Sequence, residues 1–457
     1  MIFGLALPLA LLAACAPPGE DSATPEGSVV AAGVVGWIEP SAALPTVVTV
    51  RWRTPNAQRG WLRYLGEGQE TWTELEDGEA TVAHRQVLRG LAAATSYQVE
   101  VAPDPDSDQV LALSFTTGAL PSWVPALDMD DADPEASQEA FLVGPLAGEE
   151  PDTLPVILDS EGRVVWYHPD AGPVTRVRIT PDRQALVALL HSSAVDVPGC
   201  LQWLDWEGGL LRERCFEGIH TDFTFLPGGR IAVLGRELRD LATGRTFLGQ
   251  TILEVDPDGG GGVVWSVLDA RPPNLDRIFP PCAEASGAEC YAHVNSISYA
   301  EVDDAYLLTA SDLGAVLAVD RSTGDVRWAL GGEQSDFSVP GYEKPFSYPH
   351  SVQAVPGGVL VYDNWSPLLD GCSGAAQFSL DFDLAQATPT WRYAAEECVV
   401  NNFLGNAQRL WDGRTLVVNP AAGFLDLVDA EEALDQRIST GEGVVLRFAQ
   451  AAESLYF

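Results

Sequence analysis

Three histidines stand at the same place in a repeated phrase. Pro349-His350-Ser351-Val352-Gln353 leads to a turn at Pro356-Gly357-Gly358, and Ile219-His220-Thr221-Asp222-Phe223 leads to Pro227-Gly228-Gly229. Tyr291-Ala292-His293-Val294-Asn295 opens a third copy that turns at Asp303-Asp304, and a fourth, residues 405–413, carries Asn406 at the histidine position. Each copy alternates apolar and polar residues up to its turn, the pattern of a strand entering a hairpin. A neutral imidazole near pH 7 serves as nucleophile, general base or metal ligand, so three in phase make a candidate site for group transfer or for Zn or Cu. Asn295, two residues after His293, faces the same side of its strand and can donate to an anion. His84, His168 and His191 lie outside this phase and receive no role.

The elements that must position these residues also repeat. From residue 141 onward the chain has a period of about 45 residues, marked by an apolar strand, a turn and a second strand ending in Trp. Ile157 to Trp166, Leu253 to Trp265 and Ala318 to Trp328 are clear copies; 201–211, 378–391 and 425–446 are degenerate ones. Each alternates with an inner hairpin, giving four antiparallel strands per repeat, and six copies predict a six-bladed β-propeller over residues 140–457. The last copy shows only its outer hairpin, so the strand near Phe141-Leu142-Val143 is expected to complete it and close the ring. First strands line the channel of a propeller, which would bring His220, His293 and His350 to one mouth, opening blades two, three and four. Loops 268–291 and 331–348 would wall that mouth, and the returning strands would bring Asp363-Asn364 and Gly235-Arg236 near it.

Residues 29–118 hold short alternating strands at 47–53, 60–64, 96–101 and 114–117, the spacing of a small β-sandwich. Residues 119–139 read as a linker. Residues 16–28, rich in Pro, Gly, Ser and Thr, read as a flexible tether, and the apolar residues 1–15, ending Leu12-Ala13-Ala14-Cys15, as a signal segment. The fold class is therefore all-β throughout.

The 457 residues include 26 basic and 65 acidic side chains, a net charge of -39. Such a surface repels phosphate backbones, which excludes nucleic acid as a partner. Any anionic substrate must be held by a local positive site working against that field. Beyond Cys15 the cysteines number six, an even count that suggests disulfides in an exported chain. Nearness in sequence favours Cys200 with Cys215, Cys282 with Cys290 and Cys372 with Cys398. None has CxxC spacing, so all six are read as staples and none as a metal ligand.

Three resemblances add to this reading. The run Leu88 to Val99, with Tyr97, resembles the tyrosine corner of fibronectin type III domains. Leu-Ala-Ala-Cys15 resembles the bacterial lipobox, which implies a lipidated Cys15 and an exported protein anchored at the cell envelope, touching membrane only through that lipid. The succession His-Thr-Asp, His293-Val-Asn295-Ser, Leu330-Gly331-Gly332, Pro-His350, Tyr362-Asp363-Asn364 and Gly405-Asn406-Ala-Gln-Arg-Leu resembles the bacterial arylsulfate sulfotransferase family over most of 141–449.

That family is a six-bladed propeller that moves a sulfuryl group between phenols without a nucleotide donor or other cofactor. The resemblance implies aryl sulfate and phenolic small molecules as partners, with His350 as the transiently sulfated nucleophile. His220, His293 and Asn295 would bind the sulfuryl oxygens and handle the phenol proton, and Asn364, Arg236 and Asn406 would complete the substrate-binding set. The chemistry agrees: a loose transition state is served by positioning and charge, and a covalent intermediate suits exchange between similar phenols. One departure stands out. Where the family carries an arginine at the end of the strand after His-x-Asn, this chain reads Ala310-Ser311-Asp312-Leu313. Arg236, at the matching strand end of the neighbouring blade, is expected to restore the charge.

Two other classes remain. A non-catalytic propeller that binds a ligand or partner would keep the histidines as remnants. The Asp-x-x-x-Gly-x-Val-x-Trp hairpins also resemble quinoprotein dehydrogenase repeats, though no metal-ligand set or vicinal disulfide accompanies them.

Overall fold

Short strands rich in Val, Leu, Ile and Trp, separated by Gly-containing turns, form eight sheets in the computed structural model, which describes residues 27–456. Excepted are 32, 77, 79, 104–106, 108–109, 126, 132–139, 148–152, 169–171, 193, 242–243, 284, 286 and 442. The expected signal segment, Cys15, nearly all of the tether and the end of the linker lie outside the described residues.

Six of the sheets are propeller blades. The second runs Val174–Ile179, Leu186–Leu190, Pro198–Leu204, Leu210–Glu217; the third Phe223–Phe225, Ile231–Asp240, Thr246–Val255, Gly261–Ser266. The fourth runs from Val294–Ala300 to Val326–Gly331 and the fifth from Pro349–Val355 to Gln386–Tyr393. All of these are antiparallel meanders, and the first strands of the third to sixth blades pack against one another in succession. His220, His293 and His350 therefore stand at the starts of the third, fourth and fifth blades, one place later than the sequence count.

The ring closes differently from expectation. The sixth blade is complete, with Asn406–Arg409 and Thr415–Asn419 as its inner hairpin. Phe141–Ala147 belongs instead to the first blade, and the C-terminal Val445–Leu446 and Gln450–Ala452 supply that blade's innermost strand. Part of the expected linker, Asp128–Asp131, pairs with Leu434–Ser439 as a fifth strand on the outer edge of the sixth blade. An uncovered strand edge leaves a row of unpaired backbone groups. Covering it with a segment from before the first blade ties both ends of the ring together.

Amide side chains fasten neighbouring first strands. Asn406 and Gln408 each donate to and accept from the backbone of the closing strand, at Ala449 and Ala451. Gln353 does the same to Arg409 across the fifth and sixth blades. Between blades lie hydrophobic clusters; of the tryptophans ending the three clear outer hairpins, Trp166 and Trp265 are buried and Trp328 is partly buried, and Trp391 of a degenerate copy is buried as well. The disulfides are Cys200–Cys215, Cys282–Cys290 and Cys372–Cys398, the neighbour pairing, and they fit an exported chain.

The two remaining four-stranded sheets form the fibronectin type III-like sandwich over Val29 to Thr116. Tyr97 Oη accepts from the Ala92 backbone N–H at 2.8 Å, which is the tyrosine corner. The sandwich docks on the propeller. Leu44, Val47 and Val87 join the first blade's core, and Arg89 donates to the carbonyls of Arg183 and Leu455 while lying 4.4 Å over Trp206. No described helix is long and apolar enough to cross a membrane.

Candidate active site

A shared irregularity aims the first-strand residues at the channel mouth. In the second, fourth and fifth blades the register between first and second strands slips by one residue, leaving Thr175, Asn295 and His350 as the bulged residue. A bulge unpairs one residue and turns its side chain out of the ladder, a device common beside active sites. In the third blade the corresponding backbone is bent at Thr221, with φ +67°.

His350 is buried, 5% exposed. Its Nδ1 lies 3.2 Å from the Gly405 carbonyl and its Nε2 lies 3.1 Å from the Leu404 N–H. A carbonyl only accepts and an N–H only donates, so the proton sits on Nδ1 and the lone pair on Nε2. Burial lowers its pKa to about 3, with the charges of Arg176 and His293 adding to the effect. The ring is thus neutral across the physiological range. Its lone pair, however, is capped by the Leu404 N–H, a contact the sequence did not foretell.

His220 is held by the same logic. Burial first, then the charges of Arg236, His293 and His191, push its pKa well below the ordinary value. Its Nδ1 is bonded to Thr221 Oγ1, while Nε2 is buried with no partner among the described residues. His293, at φ +47°, tilts against the Tyr348 ring at 5.9 Å. His220 and His293 line one small cavity of about 10 Å³, with Gln250, Tyr291 and Cys290, room for roughly one water. His350 does not line this cavity. Among the described residues the three imidazoles are not close enough to share one metal ion; the close Cys200, Glu213, Cys215 group has its sulfurs in a disulfide.

The expected partners divide. Asn295 is buried, with Oδ1 accepting from Thr309 Oγ1 and Nδ2 donating to Ser311 Oγ at 2.6 Å; Ser311 donates in turn to the Pro349 carbonyl. A neutral relay therefore occupies the position of the absent arginine and runs to the residue before His350. Asn364 donates to the Leu404 carbonyl at 3.0 Å, so it supports the segment that caps His350. Asn406 spends its amide on Ala449 as a ring clasp. Arg236 is buried and donates to the Ser192 carbonyl at 2.8 Å, on the His220 side of the mouth. His84 and His168 have structural partners, Thr54 and the Gly208 carbonyl.

Sequence reasoning missed Arg176 and Arg178. Both lie on the first strand of the second blade and both bond Asp222 Oδ1, at 3.1 and 3.0 Å. The signal was available: two of only 26 basic residues spaced i, i+2 on a channel-lining strand.

Two predictions arise here. Gly405 sits at φ +90°, and an added Cβ would meet the Tyr362 ring at 2.4 Å. Gly405→Ala is expected to cost about 2–3 kcal/mol in urea unfolding, from backbone strain plus overpacking. The second concerns pH. Between pH 6.5 and about 3 the unfolded chain takes up a proton that folded His350 refuses, so the stability tied to its neutrality is present above pH 6.5 and lost as pH falls. Between pH 7 and 5.5 the wild type should lose about 1 kcal/mol more than His350→Gln, the carboxylate background cancelling in the difference.

The arylsulfotransferase (ASST) family profile matches residues 128–442. No curated protein sequence matches the chain. Among solved structures, the chain is similar to a protein of unknown function from Bacteroides caccae at 15% identity and TM-score 0.43, covering 68% of this chain and 97% of that one. It is similar to the periplasmic gluconolactonase of Pseudomonas aeruginosa at 12% and 0.37, covering 78% and 94%. It is similar also to a catalytically inactive virginiamycin B lyase from Staphylococcus aureus at 11% and 0.36, covering 68% and 88%.

Proposed function

The chain belongs to the arylsulfotransferase family, and on that premise we propose that it transfers a sulfuryl group from an aryl sulfate to a phenol through a sulfated His350. The observation that carries this reading is the state of His350: neutral, with Nδ1–H fixed on the Gly405 carbonyl and the lone pair at Nε2. In the first half-reaction that lone pair bonds to sulfur as the S–O bond to the aryl group breaks, and the electron pair leaves with the aryl oxygen. In the second, the acceptor phenol oxygen bonds to sulfur, the S–N bond breaks, and Nε2 regains its lone pair. The proton lost by the acceptor replaces the one taken by the departing aryl oxide, carried by His220 and His293 at the shared cavity.

The Leu404 N–H must swing off Nε2 before attack. A single hydrogen bond is worth about 1 kcal/mol net, so this uncapping costs roughly fivefold in rate and does not preclude the chemistry. Leu404 holds φ +61° and so sits in a sparsely populated conformation that movement would relieve.

A non-catalytic binding propeller is the second reading, favoured by the engagement of both His350 nitrogens and of the Asn295 amide. A chromogenic aryl sulfate with a phenol acceptor separates the two. Acceptor-dependent release of the chromophore, indifferent to added quinone and calcium, is expected. A donor-only reaction quenched in alkaline denaturant is expected to leave one sulfuryl group on the His350 peptide. No turnover and no sulfated peptide would leave the binding propeller standing.

A further inference from the structure

The second and fifth blades face each other across a six-membered ring, and the second carries a buried cation on its first strand. Arg176 is 2% exposed, among the most buried of all the large side chains. Its Nε donates to Asp222 Oδ1, its Nη1 to the Thr175 carbonyl at 3.0 Å, and its guanidinium lies 4.3 Å over the Phe448 ring. Nη2 makes no hydrogen bond among the described residues. Arg178 bonds the same carboxylate and the Phe223 carbonyl. Two guanidiniums share one carboxylate, so this cluster carries a net positive charge inside a chain of net charge -39.

Burying a cation is costly unless it is matched or has a task. Asp222 is already spoken for: Oδ1 also accepts from the Phe223 N–H and Oδ2 from the Ile297 N–H. Among the described residues no second carboxylate pairs with either guanidinium. At the position of the absent arginine stand the neutral groups Ser311 and Asn295, joined by a hydrogen bond.

We propose that Arg176, clamped by Asp222 on the wall opposite His350, binds a sulfuryl oxygen of the aryl sulfate through Nη2 and fixes the group between the two walls. This rests on the sulfuryl-transfer reading of His350. It moves the compensating charge from Arg236, which faces Ser192 and His220, to the second blade. The charge of Arg176 reaches His350 across the channel, where it helps keep the imidazole unprotonated.

The test compares wild type, Arg176→Met and Arg176→Lys, with inorganic sulfate as the binding probe. Asp222 keeps Arg178 and two backbone donors in either variant, so the carboxylate stays compensated. Arg176→Met is expected to lower kcat/KM about a hundredfold or more and to weaken sulfate, as a competitive inhibitor, at least about tenfold. Arg176→Lys should recover part of both, and the acid limb of the rate profile should move to higher pH in Arg176→Met. Turnover and sulfate inhibition within about twofold of wild type would overturn the role of Arg176 while leaving the transfer reading intact. If the wild type turns over no aryl sulfate, that reading fails, and calorimetric titration with sulfate still decides Arg176. Sulfate bound by wild type and not by Arg176→Met sustains the anion site; equal binding, or none to wild type, overturns it. Should Arg176→Met not fold, the same titration on Arg176→Lys and on Arg178→Met decides: sulfate binding weaker than wild type in the former and unchanged in the latter is expected, and equal binding in both overturns the role of Arg176.

Discussion

His350→Ala is expected to lower aryl-sulfate turnover by at least about a thousandfold, with no sulfated enzyme detectable after donor alone. Removing a covalent nucleophile takes away the pathway and not one contact, which is why such losses exceed those of binding residues. The geometry sharpens the expectation. Only one imidazole of the three has its tautomer set by two backbone groups, the Gly405 carbonyl and the Leu404 N–H. His220→Ala and His293→Ala are expected to slow turnover less, because their part is proton transfer and orientation, worth about a hundred- to ten-thousandfold at most. Retention of more than a tenth of wild-type turnover in His350→Ala would assign His350 a packing role and end the covalent mechanism.

The second large effect is on stability. Asp222→Ala is expected to cost about 3–5 kcal/mol in urea unfolding, the range for leaving buried charge uncompensated. This carboxylate accepts from Arg176, Arg178, Phe223 N–H and Ile297 N–H, joining the second, third and fourth blades. Its loss leaves two guanidiniums facing each other around the Phe448 ring. The double variant Asp222→Ala with Arg176→Met should recover part of the loss, since one unmatched cation goes with it. A cost below about 1 kcal/mol, or no recovery in the double variant, would show that the guanidiniums are solvated and the cluster is not a buried ion network.

How much of this was legible follows from what each signal depends on. The propeller was legible because its repeat is written in local chemistry: alternating strands, turns fixed by Gly, and a Trp closing each outer hairpin. The phase of the histidines was only roughly legible: the register sets Asn295, not His293, at the position of His350, because bulges shift the count by residues that the sequence pattern does not mark. The tyrosine corner and the disulfide pairs were legible because their partners are close in sequence.

Other features escaped because they depend on groups far apart in the chain. The sixth blade's outer strand comes from Asp128–Asp131, which precedes the first blade while its partner Leu434–Ser439 belongs to the last, and pairing of backbone groups leaves little mark in side-chain type. The roles of Asn295 and Asn406 were also undecided. An amide can hold an anion or fasten a strand, and only the positions of Ser311 and Ala449 select between the two.

The sequence by itself determined the architecture and placed the three histidines near the starts of first strands, because both are properties of a periodic pattern that survives without knowing any contact; which residue takes the bulged place was decided by the register. The tertiary structure alone decided the working state of His350. Closure of the ring brings Leu404 and Gly405 onto its two nitrogens and sets Arg176 against the opposite wall. Proton location, lone-pair access and local charge depend on distances of a few ångströms between blades, and no spacing within one strand encodes those.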